Sequence, residues 1–486
     1  MAVPSRTAGL AAFFAALFIG ALAGVDPKLA IAAAFGIAFA LVAVANLAVG
    51  VTIFTVLTFM ELAPVAGGQA LSFSKVAGLV LVISWIALVS SDRDQRLLFR
   101  DHPWLSGFLG FFLAWMTLSA VWAEDSGVIS SIWQEDPGGS IGTIVRYALS
   151  IMLIPIVYTA LGTRQKMRWI AAAFAGGAAF AAAYGLSAAP SSSAAAVSAT
   201  AAGDLNRVTG TIGDPNLLAS VLVVGIVMSA TLALDQSREL LTRILGGVSM
   251  VLCFSAVVAT ASRGGLIATG AALLAWIVIA PKGTRPRVFA AVLAFAATVF
   301  LFFSVVASDE QVARITTADG GAGRTDIWKI GWRMFEANPV VGVGSGNFRT
   351  SSIHYLLAEP GAIQRSYYIA DTPAVAHNLY LEILTELGLV GLTLFLAVIV
   401  GSMAAAVRAY RRFDRLGDAG MATIARATVI GLVATLAADF FLSAQFSKQL
   451  WILLSLGPAL LAIARFRSPS GDDELSENDA AAALRP

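Results

Sequence analysis

Long apolar runs dominate this chain, and short polar connections separate them. Fourteen runs are readable, at 8–23, 29–46, 48–63, 72–90, 105–122, 143–160, 169–188, 215–234, 240–258, 264–280, 288–307, 387–407, 423–442 and 449–464. Each approaches the ~20 residues that an α-helix needs to cross a bilayer core. Only Asn46 and Gly50 mark a turn between the second and third runs. Joining or re-entry there leaves twelve or thirteen. The pattern predicts an all-α polytopic membrane protein with about 12–14 transmembrane helices. The expected organisation is about eleven spans over 1–307, one large external loop with short helices over 308–386, the last three spans over 387–466, and a tail over 467–486.

The polar pattern changes between residues 308 and 386. Loops this long inside a compact protein are usually functional or disordered. This one has helical spacing: Ile327, Trp328, Trp332, Met334 and Phe335 form an apolar side, punctuated by Lys329, Arg333 and Glu336 and closed by Pro339. The segment reads as an interfacial helix with tryptophan at headgroup depth, or equally as a packing helix in an external cap. A glycine-rich stretch follows, Gly342-Val343-Gly344-Ser345-Gly346-Asn347-Phe348, and His377 then begins a helix that enters the membrane.

Composition supports the membrane assignment. The chain is 58% hydrophobic and only 13% charged, against about 25% charged for a soluble domain. Two or three soluble domains are thereby excluded. A single cysteine, Cys253, permits no intramolecular disulfide, and three scattered histidines make no His/Cys zinc site. No metal or cofactor is expected. Arg6 followed by an apolar stretch and Ala21-Leu22-Ala23-Gly24 has the outline of a signal peptide, but a first membrane span is the favoured expectation. Ala189 to Gly203 is an Ala/Ser run expected to be a flexible outer loop, and the acidic tail is expected to be disordered.

Basic residues set the orientation. With the N-terminus inside and spans alternating, 20 of the 32 Lys and Arg residues fall on the cytoplasmic side. Six lie in the long loop and six in the remaining outer connections and helix ends. Both termini are therefore expected in the cytoplasm and the long loop outside.

Three arginines then stand on the outer face. Arg207 lies in NRVTGTIGDPNLLA, ahead of a span with Asp214 as N-cap and Pro215 at its first position; Arg263 lies in the turn TASRGGL; Arg324 lies in GRTDIW. Each has an ordinary explanation as a helix cap or a headgroup anchor. Together they suit phosphate, whose oxygens match the guanidinium fork. Gly344 and Gly346 belong to a turn whose amides can form an anion-binding nest, although an ordinary turn is the simpler expectation. His377, at a helix N-terminus that disfavours imidazolium, suits a proton acceptor; capping or interface packing is the alternative. Glu382 and Glu386, four residues apart, share a helix face and are candidates for orienting an acceptor or pairing with an arginine. Gly388 and Gly391 would permit close helix contact.

The order of SRGG at 262–265, GRTDIW at 323–328, NPVVGVGSGNF at 338–348 and HNLYLEILTELGLVGL at 377–392 resembles the bacterial O-antigen ligase/polymerase family. The likeness is concentrated in residues 205–395. It implies transfer of a glycan from a polyprenyl diphosphate carrier to an acceptor hydroxyl on a glycan, lipid or protein, without metal or cofactor, at the outer face of the bacterial inner membrane. It also implies that Arg263, Arg324 and His377 are catalytic. Arg207, Gly344, Gly346, Glu382 and Glu386 are the accompanying candidates for holding the diphosphate or glycan. A repeat-unit polymerase of the same family would use the same donor chemistry. A transporter or flippase is the alternative from another class, but its charged groups and broken helices belong near mid-membrane, whereas these candidates gather at one face.

Overall fold

The computed structural model describes residues 16–17, 19–60, 73–123, 139–187, 207–235, 238–280, 283, 285–307, 312, 324–356 and 375–465. The Ala/Ser run, the acidic tail and most of the first expected span lie outside the described residues.

The described chain is all-α, with no strand. Its helices are α1 (Pro27–Ala45), α2 (Leu47–Leu57), α3 (Phe73–Ser91), α4 (Leu98–Asp101), α5 (Pro103–Ser119), α6 (Gly139–Ala160) and α7 (Arg164–Ser187). There follow α8 (Pro215–Leu234), α9 (Leu240–Ala259), α10 (Arg263–Ile279) and α11 (Arg285–Leu301). After the long connection come α12 (Arg324–Ala337), α13 (Phe348–Leu356), α14 (Leu379–Arg415), α15 (Ala419–Ala438) and α16 (Lys448–Arg465). Among the described residues, nine helical segments are long and apolar enough to cross a membrane, and four more apolar helices are shorter. The chain is a polytopic membrane protein.

The sharpest departure from the expected spans is at 48–63. There α2 is an 11-residue helix, about 16 Å at 1.5 Å per residue, which is half a hydrocarbon core. Asn46 starts it by accepting from the amides of Ala48 (3.1 Å) and Val49 (3.3 Å). Gly50 lies so near Ala43 that an added Cβ would stand 2.8 Å from that side chain. The turn between α1 and α2 is therefore a tight reversal.

The core is built around α14 and α16. Helix α14 packs on α16, α15 and α5, and α16 is buried almost throughout. Aromatic rings link these helices: Phe112 to Tyr147 at 5.8 Å, Phe112 to Phe395 at 5.7 Å and Phe395 to Trp451 at 6.3 Å. In lipid no hydrophobic force drives helix association, so such shape-matched contacts carry the packing. Ion pairs collect at one end of the bundle, including Arg164–Asp418 at 2.8 Å and Arg426–Asp414 at 2.5 Å. Arg207, Arg263, Arg324 and His377 lie at the other.

Candidate functional site

Two turns build this end. In the first, Asp214 caps α8 as expected, accepting from Asn216 and Leu217 amides at 2.7 Å each. The Asn216 side chain then accepts from Arg207 (2.9 Å) and from the Ser262 hydroxyl (2.9 Å). Arg207 also donates through Nε to the Thr260 carbonyl at 2.8 Å. Ser262 in turn caps α10 through the Gly265 amide at 3.2 Å. The buried Arg207 thus ties down the turn on which Arg263 is carried. Gly265 has no room for a side chain, because a Cβ there would lie 2.5 Å from Ala219.

The second turn presents His377. Asn378, rather than His377, is the N-cap of α14, accepting from Tyr380 and Leu381 amides at 3.0 Å. His377 therefore precedes the helix that the sequence had it begin. Its φ is 47°, and Ala261, two residues before Arg263, has φ 48°. These are the only non-glycine residues with positive φ among the described residues. Such conformations are uncommon outside glycine and cluster where surrounding structure holds a functional group in place.

Trp328 joins the two turns. Its indole donates to the Ala376 carbonyl at 3.0 Å, and its ring meets Phe440 (5.5 Å) and Phe441 (6.3 Å). Phe441 packs on Gly264. Arg324 lies one helical turn before Trp328 on α12, and its charge reaches His377. Arg349, at the start of α13, and Asp214 reach it too. Burial, followed by Arg324, lowers the His377 pKa to about 4; Asp214 opposes the shift and Arg349 adds to it. The imidazole is neutral at physiological pH.

The glycine-rich turn is an anion nest filled from within. The carboxylate of Glu386 accepts from the amides of Gly346 and Phe348, the latter at 3.2 Å. The Gly344 amide donates to the Glu386 carbonyl at 2.9 Å, and Val343 donates to Thr385 at 2.9 Å. Gly346 and Phe348 thus hold a carboxylate of the protein itself, while Gly344 holds the main chain of the same residue. Glu382 is likewise engaged, accepting from Ser443 and from Gln445 Nε2 (2.6 Å). Both glutamates are buried. Gly388 meets the backbone of Val340 in this turn, and Gly391 meets Leu387 of its own helix. The helix contact expected of these glycines is replaced by a kink at Gly388 seated on the turn.

On α12 the buried face is Ile327, Ile330, Gly331 and Met334, while Trp332 is exposed and donates to Glu336 at 2.7 Å. Gly331 is where Leu381 approaches. Sequence spacing found the helix but not Arg349, Ser443 or Gln445, whose proximity to His377 or Glu382 comes from distant parts of the chain. No group of three His, Cys, Asp or Glu residues suited to a metal occurs among the described residues.

No match is found among curated proteins. Residues 248–396 match the family model described as O-antigen ligase. The matched segment includes Arg263, Arg324, Arg349 and His377, with Arg207 outside it. The match covers less than a third of the chain, and over this segment the chain is similar to the O-antigen ligase family, which supports a membrane glycosyl-transfer role.

Proposed function

We propose that the protein is a metal-independent, inverting glycosyltransferase of O-antigen ligase type, acting on a glycan carried by polyprenyl diphosphate. The observation that carries this assignment is the placement of a neutral, backbone-strained His377 beside Arg324, with Arg349 also in reach. The protein would lie in the bacterial inner membrane, with both termini cytoplasmic and this end outside, as the basic residues suggest.

In the reaction the acceptor hydroxyl oxygen attacks the anomeric carbon from the face opposite the diphosphate. The new C–O bond forms as the bond to the diphosphate oxygen breaks, and that oxygen keeps the electron pair. The hydroxyl proton passes to the His377 imidazole. Charge grows on the leaving diphosphate, and Arg263 and Arg324 are the fixed cations that stabilise it. An imidazole with a pKa near 4 is a poor base, but the bound donor supplies the correction. Its negative charges offset Arg324 and Arg349 and favour the imidazolium. The base therefore strengthens when the substrate is present.

Arg207 positions the Arg263 turn, and Glu382 and Glu386 brace the helix behind His377. No step in this scheme uses a metal, so transfer should survive EDTA; loss restored by magnesium or manganese would contradict it. The direct test is reconstitution in proteoliposomes with a polyprenyl-diphosphate-linked glycan and a candidate acceptor. Transfer in one step to the acceptor supports a ligase, a ladder of repeat units supports a polymerase, and movement of the lipid without a new glycosidic bond contradicts glycosyl transfer.

A further inference from the structure

A cavity of about 280 Å³ opens beside the Gly-rich turn. It is lined by Trp122, Asn338, Gly342, Ser351, His354 and Tyr355, among others. We propose that this cavity is a sugar subsite, holding one uncharged pyranose residue of a glycan substrate while the reacting bond lies at His377. This rests on the glycosyl-transfer assignment above.

The chemistry of the wall points to a sugar. Among the described residues that line the cavity there is no acid, lysine or arginine, so this wall is unlike the arginine site and offers little to a diphosphate. Its size is at the small end of ligand pockets, about 300–1,000 Å³, which is too small for a peptide segment or a lipid tail. Trp122 and Tyr355 contribute aromatic faces, which suit the C–H face of a pyranose. Asn338 donates to the Tyr355 hydroxyl at 3.2 Å, and this pair, with Ser351 and His354, presents both donors and acceptors to ring hydroxyls. Apolar lining with a few convergent polar groups is the usual pattern of a small-ligand site.

Position supports the same assignment. On α13, residues 351, 354 and 355 face the cavity, and residue 349 lies on the opposite side at 100° per residue. Arg349 is the residue whose charge reaches His377. The cavity and the histidine therefore flank one helix, about 10–12 Å across. The Gly-rich turn repeats this arrangement: Val343 lines the cavity, and its amide donates to Thr385 on α14. Trp122 leans on Trp115 at 5.8 Å, and Trp115 donates to Leu387 at 2.9 Å. Two separate contacts thus fix the cavity to the helix that follows His377.

The sugar can belong to the donor glycan or to the acceptor, and the test separates them. Asn338→Ala removes an amide, and Tyr355→Phe removes one hydroxyl while keeping the ring; both leave the arginines and His377 untouched. Two soluble probes are used, a neutral oligosaccharide released by mild acid from the host's lipid-linked glycan and the free acceptor glycan. Saturation-transfer NMR measures their binding to folded protein in detergent. The expected result is saturable binding of one probe by the wild type, weakened tenfold or more in both variants, with sugar-free polyprenyl diphosphate bound as before. Binding of neither probe, or equal binding by wild type and both variants, overturns the subsite. An equal loss of sugar-free carrier binding would overturn it as well, by showing that the variants damage the whole site. Failure of the glycosyl-transfer assignment looks different: the wild type binds its probe and still forms no glycosidic bond in proteoliposomes.

Discussion

Glu386 sits in the glycine nest with its Oε1 accepting the Phe348 amide at 3.2 Å. The carboxylate is buried and holds two backbone amides of the turn. Glu386→Ala leaves those amides without a partner, at a cost of about 1–3 kcal/mol each or less where water enters. The expected outcome is a lower melting temperature in detergent and faster proteolysis between residues 338 and 356, with carrier binding per folded molecule retained. Unchanged stability together with lost carrier binding would show that Glu386 serves the substrate directly.

Arg207 and Arg263 are adjacent in role but separable. Arg207→Ala strips partners from the Thr260 carbonyl and from Asn216, so folded protein should fall and the remaining transfer should drop because Arg263 is displaced. Arg263→Lys keeps the charge and loses the planar fork; folded yield should hold while donor binding and transfer fall. Gel filtration for folded yield, beside binding of a polyprenyl diphosphate analogue, tells the two apart. Normal donor binding and transfer by Arg263→Lys would reduce that arginine to a helix-end anchor.

The His377 pKa, lowered to about 4 by burial and then by Arg324, gives a third prediction. As pH falls below about 6.5 the unfolded chain takes up a proton that the folded site refuses, so stability declines. The decline ends near pH 4, where the folded imidazole also protonates. At about 1.4 kcal/mol per pH unit, the full loss is about 3 kcal/mol. Arg324→Gln removes a charge that lowers the pKa and should raise it, whereas Asp214→Asn should lower it further. Binding of a diphosphate should also raise it. NMR titration of labelled histidine reads all three shifts, and an imidazole that titrates near 6.5 with or without Arg324 would refute the electrostatic picture.

Much of this was legible from apolar periodicity, but unevenly. The span at 215–234 was placed correctly by its apolar run and by Asp-Pro at its start, because a side-chain cap is a local interaction. The run at 48–63 outlasts its helix, because Phe59 and Met60 continue the apolar pattern after α2 ends at Leu57, and hydropathy does not register that end. Arginines 207, 263 and 324 stood out as costly charges at helix ends. The use of Arg207 as a clamp depended on Thr260 and Asn216, which only tertiary folding brings near. A nest at Gly344 and Gly346 stood only as an alternative to an ordinary turn, and Glu386, whose carboxylate the Gly346 amide meets, lies about forty residues later. The positive φ at His377 and Ala261 could not be read from residue type, because the surrounding fold imposes it.

The most direct test of the central claim is glycan transfer per folded molecule by His377→Ala, measured with binding of a polyprenyl diphosphate analogue. A general base contributes about a hundredfold to ten-thousandfold. The account predicts transfer reduced by that factor, with folding and carrier binding nearly intact. Normal transfer by well-folded His377→Ala would contradict it.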